Sequence, residues 1–411
     1  MPRTVLSNAT FYTGENLEPT SGSLIVESGF ISEIGGQVTH RPDDKVINLS
    51  GGFVIPGLMD AHCHLIYRDV SDPYDIELRK SIAEATSDAI FNARSLLSQG
   101  FTTVRDVGSR GNIAVEVRNA VNRGDFPGPR IHPAGQILSA PGGLADFHPS
   151  HIFEDRPYRH GLGVQVTGPD QARATIRRQL KDGVEWIKVG VSGTGFNPLC
   201  PAERNGLSEI EFAAVMSEAH FQGVPVAAHA ESAEAVRAAA YHGAQTIEHG
   251  IYIDEESVEQ MVKNHVTLSP TLSMYRAFAV RGAAMGIPSV IVDEHKRTHE
   301  IHAASVRRAF DAGVPIVAGG DAGLTHFPQG SCSEEALSYV EIIGMTPRQA
   351  LCTLTVNVAR LLGVIADVGT LDLAKRADLV AFRRDPLLDP SVLSRRDDRV
   401  LVMQRGLIVN L

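Results

Sequence analysis

Apolar and polar residues alternate in short runs at both ends of the chain. Residues 4–6 lead into 8–14, residues 23–34 read as a hairpin turned at 27–29, and 46–49 form a further short run. Near the other end, 378–382 and 399–409, with Gly406 at a turn, repeat the pattern. A period of two over a few residues is the mark of a strand. Chain ends often lie close in space. The two β-rich ends therefore predict one small β-sandwich made of residues 1–55 and 365–411. The middle, 56–364, behaves differently. It alternates apolar strand-like runs with helical patterns. The runs are 52–60, 102–106, 130–135, 186–191, 224–229, 246–249, 266–270 and 316–321. Helical spacing covers 77–99 and 168–180, and Ser208 with Glu211 forms a capping box for a third helix. Strand–helix alternation favours a parallel sheet covered on both faces. About eight such units are what a closed (β/α)8 barrel needs. The expected fold class is thus α/β, a TIM-like barrel with a sandwich built from both termini. One connection, 136–167, is too long for a simple turn and is rich in Gly, Pro and His. Following a strand, it belongs at the catalytic face of a barrel.

Composition narrows the partners. The 411 residues include 38 Lys+Arg and 48 Asp+Glu, a formal net charge of -10. An acidic chain without basic tracts argues against nucleic acid or an anionic membrane as partner. No apolar run reaches the roughly 20 residues of a membrane span. The opening residues turn polar early and show no signal-peptide core. Four cysteines, Cys63, Cys200, Cys332 and Cys352, are scattered without a CxxC pair. A disulfide framework or thiolate zinc site is not expected, and a reducing cytoplasm is.

The chemistry lies at the strand ends. The first strand finishes Asp60-Ala-His62-Cys63-His64. Alternate residues face the same way, so His62 and His64 make a two-imidazole grip. Lys188 interrupts an apolar strand, although lysine is rarely buried unpaired. His229, His249 and Asp321 close three further strands. Singly, each has an ordinary explanation: a core histidine, a snorkelling lysine, a helix-capping aspartate. Five strands delivering such residues to one end are better explained by a barrel active site.

The pattern resembles the amidohydrolase superfamily, in its binuclear-metal branch with a carboxylated lysine. The resemblance rests on Gly57-Leu-Met-Asp-Ala-His-Cys-His64, Gly100-Phe-Thr-Thr-Val-Arg-Asp-Val-Gly108, Val224-Pro-Val-Ala-Ala-His-Ala230, Thr246-Ile-Glu-His-Gly250, Gly320-Asp-Ala-Gly323 and Arg376-Ala-Asp-Leu-Val380. The nearest group is imidazolonepropionase-related and includes Xaa-Pro dipeptidases and ochratoxin-type amidases. The resemblance implies two divalent metal ions, zinc first among them. It implies His62, His64 and Asp321 on one ion, and His229 and His249 on the other. It implies Lys188 carbamylated by carbon dioxide and bridging both, with Asp321 as general base and acid. A free ammonium has no lone pair to give, whereas a carbamate is an anionic oxygen ligand. The implied activity is hydrolysis of an amide, in a dipeptide or N-acyl amino acid. Lactone, ester or cyclic amide hydrolysis and ring deamination are the alternatives, and a non-catalytic scaffold is a further class. Deaminases of the superfamily place an acid as HxxE, but here His229-Ala-Glu231 puts it one position early. Homo-oligomerisation and a small-molecule substrate are also implied.

Substrate contacts are where this chain departs from the pattern. Relatives often carry Gly-Gly-His where Gly142-Gly143-Leu144 stands; either His148 or His151 replaces that histidine from the same loop, or both are surface loop residues. Glu231 reads first as a cap of the following helix, and otherwise as a group attracting a cationic substrate. Tyr275 and the 324–330 segment are placed to reach the pocket, and each reads first as a structural or lid element. Arg105 is expected to pair with Asp106. His220, His242, His265, His295, His299 and His302 are expected to be structural.

Overall fold

Gly57 separates two strands that the hydrophobic pattern runs together. A Cβ at this position would lie 2.2 Å from Thr102 Oγ1, so only glycine lets the chain pass between two layers here. In the computed structural model the expected strand 52–60 is therefore split. Its first half belongs to a terminal sheet and its second half to the parallel core. The structure describes residues 3–36, 38, 41–72, 74–147, 160–195, 197, 199–285 and 289–409.

Strands β1 (Thr4–Thr13), β2 (Glu18–Glu27), β3 (Phe30–Gly35) and β4 (Lys45–Pro56) open the chain. β5 (Leu58–Cys63), β6 (Phe101–Asp106) and β7 (Arg130–Pro133) form a parallel three-stranded sheet. β8 (Ile137–Ser139), β9 (Gly163–Gln165), β10 (Ile187–Gly190), β11 (Val226–Ala230), β12 (Thr246–His249) and β13 (Thr267–Ser269) form a parallel sheet in the order β13-β12-β11-β10-β8-β9. β14 (Leu379–Phe382), β15 (Arg399–Gln404) and β16 (Leu407–Val409) return to the first strands, giving the order β16-β15-β14-β4-β1-β2-β3.

Both chain ends thus share one sheet, as the terminal patterns predict. It is one continuous seven-stranded sheet rather than two hydrogen-bonded layers. Val380 pairs with Ile55 across the join. The sheet curls around its own core, which includes Phe11, Leu24, Ile31, Leu379 and Met403. Ile31 N donates to Lys375 O at 2.8 Å and Ala377 N to Gly29 O at 3.0 Å, tying the β3 edge to the approach of β14.

Backbone hydrogen bonds also link the two parallel sheets. Glu185 N donates to Pro133 O (2.8 Å), joining β7 to the start of β10. Residues 315–321 run between β13 and β5: Leu268 N donates to Pro315 O (2.8 Å), Ala61 N to Ala318 O (2.9 Å) and Asp321 N to His62 O (2.7 Å). The expected eighth strand, 316–321, is therefore in place but irregular, with a single ladder bridge, Leu268 to Ile316. Close approach explains this. A Cβ at Gly319 would fall 2.3 Å from Ser269 Oγ.

Helix boundaries follow their caps. The helix expected at 77–99 begins at Ile82, because Ser81 and Glu84 cap each other's backbone N–H. Glu77 belongs to a separate short helix, Tyr74–Glu77. Pro169–Asp182 ends at Gly183 in the left-handed conformation (φ 97°). Glu209–Gln222 starts at the expected Ser208–Glu211 box. The long 136–167 connection is not structureless throughout. Its ends form β8 and β9, which extend the sheet from β10. His148 and His151 lie outside the described residues.

The sheet core predicts a specific stability effect. Phe11 is fully buried in it. Phe11→Ala should lower the unfolding free energy by about 3–5 kcal/mol, measured by urea denaturation. A loss below about 1 kcal/mol would show that this core is not cooperative with the rest.

Candidate metal centre

Four strand ends converge. His62, near the end of β5, and His64, just beyond it, have ring centroids 5.4 Å apart. The His249 ring lies 5.0 Å from His62 and 4.6 Å from His229. In-register pairing sets Gly190 opposite His229, and Ala230 opposite His249. One irregularity matters. Consecutive strand residues normally face opposite sides, yet Glu248 and His249 both serve the site. His249 has φ 71°, and that left-handed turn brings its ring round to the side on which Glu248 already lies. Asp321 (φ 48°) and Thr271 (φ 52°) are left-handed as well. Non-glycine residues held this way cost of order 1–3 kcal/mol each and gather at functional sites.

Each imidazole has one nitrogen committed to an oxygen. His62 Nδ1 meets Glu248 Oε2 at 2.7 Å. His64 Nδ1 meets Gly108 O at 2.8 Å, and His229 Nε2 meets Gly193 O at 2.9 Å. His249 Nδ1 meets Thr271 Oγ1 at 2.8 Å, while that hydroxyl donates onward to Pro270 O at 2.6 Å. Carbonyls and carboxylates only accept. Each committed nitrogen must therefore carry the proton. The lone pairs left over are those of His62 Nε2, His64 Nε2, His229 Nδ1 and His249 Nε2. Burial pushes the pKa of all four rings down, so they stay neutral. Neutral imidazoles locked by an outer acceptor are the usual state of metal-binding histidines.

Two further side chains complete the arrangement. Asp321 Oδ1 lies 3.5 Å from His64 Nε2 and 3.8 Å from His62 Nε2, the two bare nitrogens. Burial raises its carboxyl to about 6, against the pull of Lys188. Lys188 is 1% exposed, and its Nζ has no hydrogen-bond partner among the described residues. Burial lowers it to about 8. A buried amine without a partner is a costly arrangement, and one that carbamate formation would resolve. The donor set of imidazole nitrogen and carboxylate oxygen suits borderline divalent cations. These residues therefore fit the expected two-ion site.

Behind these side chains sits a buried ion pair that the sequence reading missed. Arg105 does not pair with its neighbour Asp106. Its Nη2 donates to Glu248 Oε1 (2.7 Å), its Nε to Ala61 O (2.6 Å) and its Nη1 to Thr246 Oγ1 (3.0 Å). Trp186 stacks on the guanidinium at 4.4 Å. Asp106 instead accepts from Leu65 N at 2.8 Å and Gly108 N at 3.2 Å. Burial pushes the Glu248 carboxyl up, but Arg105, Lys188 and the His62 hydrogen bond hold it well below its ordinary value. The one available signal was a glutamate inside an apolar run, next to a histidine.

Glu231 is not a helix cap. Ser232 caps the helix Ala233–Tyr241 by accepting from Ala235 N. Glu231 is fully buried and accepts from Thr194 Oγ1 (2.9 Å), Gly195 N (3.1 Å) and Tyr275 OH (3.1 Å). By distance it groups with His229 and His249 as a third metal-capable side chain. It faces His229 Nε2, however, at 3.6 Å, the nitrogen already given to Gly193. Glu231 thus fastens the 192–195 segment and Tyr275 behind the imidazoles. His302 was expected to be merely structural. It is buried, its Nε2 donates to His249 O (2.9 Å), and Tyr275 packs on its ring at 4.9 Å. It holds the strained His249 peptide. The 324–330 segment is stitched down rather than hinged open: Gln329 Nε2 reaches His64 O and Ala322 O, both at 2.9 Å.

Two substitutions test this scaffold. Glu248→Gln leaves Arg105 buried without a counter-charge and should cost about 3–5 kcal/mol in denaturant unfolding. Adding Arg105→Met should recover part of that loss, and strict additivity would refute the pairing. His302→Leu should cost about 1–3 kcal/mol by orphaning the His249 carbonyl. His302→Gln keeps a donor and should unfold close to the wild type. Equal losses in the two variants would mean that only the ring's packing matters.

The amidohydrolase family model matches residues 53–409. Ochratoxinase of Aspergillus niger is 28% identical over 357 residues, spanning 82% of this chain and 72% of that protein. Imidazolonepropionase of Deinococcus deserti is 24% identical over 381 residues, 88% of this chain and 85% of its own. A crystal structure of a Xaa-Pro dipeptidase with bound methionine in the active site superposes with a TM-score of 0.88, at 28% identity and 99% coverage of both chains. The match across nearly the whole chain agrees with the ligand geometry at the strand ends: this protein belongs to the amidohydrolase family.

Proposed function

We propose that the protein is a binuclear metal-dependent hydrolase of an amide bond, acting on a dipeptide or an N-acyl amino acid. The observation that carries the reading is the set of four bare imidazole nitrogens facing Asp321 and the partnerless Lys188 amine. In this reading the hydrogen bonds across 133–185 and 315–321 close the parallel strands into a (β/α)8 barrel. The barrel is residues 56–364, and 1–55 with 365–411 form the second unit. His62, His64 and Asp321 would hold one ion, and His229 and His249 the other, with Lys188 as a bridging carbamate. Zinc is the first candidate. Bound ions supply a polarised carbonyl and a water acidic enough to attack near neutral pH. Asp321 would be the residue that holds the proton during attack on the carbonyl and gives it back to the leaving nitrogen. Glu248, Thr271 and the carbonyls of Gly108 and Gly193 keep the imidazoles in one tautomer throughout. The similarity to a Xaa-Pro dipeptidase and to ochratoxinase supports an amide rather than a ring amine. So does Glu231, which is saturated by three donors and turned from the bare nitrogens, and is therefore poorly placed as a deaminase acid. A small-molecule substrate, a cytoplasmic location and a homo-oligomer belong to the same proposal. No helix among the described residues is long and apolar enough to cross a membrane.

The test is amine release from a library of dipeptides and N-acyl amino acids, with enzyme loaded in zinc and bicarbonate. Turnover is expected. Silence across the library with two ions bound would eliminate the amide reading and favour lactones or cyclic amides. Lys188→Ala should bind fewer than two ions and lose more activity than the roughly 10–100-fold cost of an outer partner. Two retained ions with normal turnover would remove Lys188 from the bridge.

A further inference from the structure

A second concave feature lies away from the metal ligands, between the end of the helix Ile82–Ser98 and the segment 383–399. It is a cleft of about 800 Å³, within the roughly 300–1,000 Å³ range of small-molecule sites. Its walls carry Arg383, Arg396 and Arg399. Charge accounting makes the cluster unusual. The segment 383–399 holds five arginines and four aspartates. Arg384 is consumed by Asp398 and Asp389, and Arg395 by Asp389. Asp385 accepts from Tyr12 OH at 2.7 Å. Arg383, Arg396 and Arg399 make no ion pair among the described residues. Only one carboxylate, Asp397, lines the cleft with them. Three cations against one anion in a concavity leave an unbalanced positive site on a chain whose net charge is -10.

The guanidiniums are also partly held in place. Arg399 Nη1 donates to Gln99 O at 3.0 Å, and Arg383 Nε to the main-chain oxygen of Asp397 at 3.2 Å. Arg399 Nε is buried and has no hydrogen-bond partner among the described residues. Burial and the neighbouring Arg396 both press Arg399 towards a lower pKa. A buried donor and like charges at close quarters are both unfavourable unless an anion completes them. Ser95, Ser98 and Ser394 add hydroxyls to the lining. The helix end by itself would repel an anion, since its carbonyls point outward there. Arg399 covers that end, so the guanidiniums, not the helix, create the site. Guanidinium forks match the oxygens of a phosphate group. The positive charge is confined to one cleft and forms no stripe, which fits a small ligand rather than a nucleic acid.

We propose that this cleft binds a phosphorylated small molecule, with Arg383, Arg396 and Arg399 on the phosphate oxygens. The rest of the cleft accommodates what the phosphate is attached to. The cleft shares no lining residue with the candidate metal centre, and the proposal does not rest on the hydrolytic reading.

The test uses the metal-loaded enzyme with inorganic phosphate and pyrophosphate as probes, at constant ionic strength. Calorimetry should give saturable binding, and the melting temperature should rise with probe concentration, as for any ligand of the folded state. Arg383→Gln/Arg396→Gln, both exposed positions, should weaken binding at least 10-fold while leaving phosphate-free hydrolysis unchanged. Malonate serves as a carboxylate control and should bind more weakly than pyrophosphate. Absence of saturable binding would overturn the proposal. So would binding that survives the double substitution, which would place the anion at the metals, and so would malonate binding as tight as pyrophosphate.

Discussion

The contact between Arg105 and Glu248 underlies the rest of the site. It joins β6 to β12 across the interior, and Glu248 passes the constraint to His62 on β5. Both side chains are 0% exposed. Removing two charges from water is expensive, and their attraction offsets this only if every remaining donor and acceptor is used. Here the requirement is nearly met. The guanidinium also reaches Ala61 O and Thr246 Oγ1, and its face lies on Trp186. The buried pair makes a poor stability device and a good orienting one. It allows His62 a single tautomer and a single ring plane.

The same logic extends around the site. Each histidine is oriented from behind by a group that accepts its N–H hydrogen bond. The acceptors come from different elements: a strand glutamate, two loop carbonyls and a threonine hydroxyl. Strain is tolerated where these meet. His249, Thr271 and Asp321 all adopt left-handed backbone, and each is held by a neighbour. His302 grips the His249 carbonyl, Thr271 is tied to Pro270 O, and Asp321 N donates to His62 O. The bare nitrogens are thus held in a fixed arrangement by the protein alone. Such preorganisation favours tight binding because little ordering remains to be done on association.

The terminal sheet meets the parallel core at Gly57 and Gly100. A Cβ on either would strike Thr102 or Val380 within 3 Å. The sheet therefore sits hard against the strand that carries the His62–His64 pair. The arginine cleft opens beside this junction, and Arg399 on β15 reaches the carbonyl that ends the Ile82–Ser98 helix.

Much of this was readable from the chain alone, and the reason is local periodicity. A period of two marks strands, and residues at the ends of neighbouring parallel strands lie along one edge, so His62, His64, Lys188, His229, His249 and Asp321 could be singled out as candidates without coordinates. Capping boxes at Ser208 and the glycine stop at Gly183 are local for the same reason. What escaped was set by contacts distant in sequence. Arg105 lies beside Asp106 in the chain but pairs with Glu248 on another strand, because strand alternation turns neighbours apart. Glu231 precedes a helix, yet burial against Thr194, Gly195 and Tyr275 decides its partners. Gly57 breaks an apolar run only because Thr102 fills the space opposite. The residue types that carry the chemistry were determined by sequence. Which nitrogen is free, which charge is paired and where the chain must bend were decided by packing, because each depends on atoms that only the tertiary structure brings together.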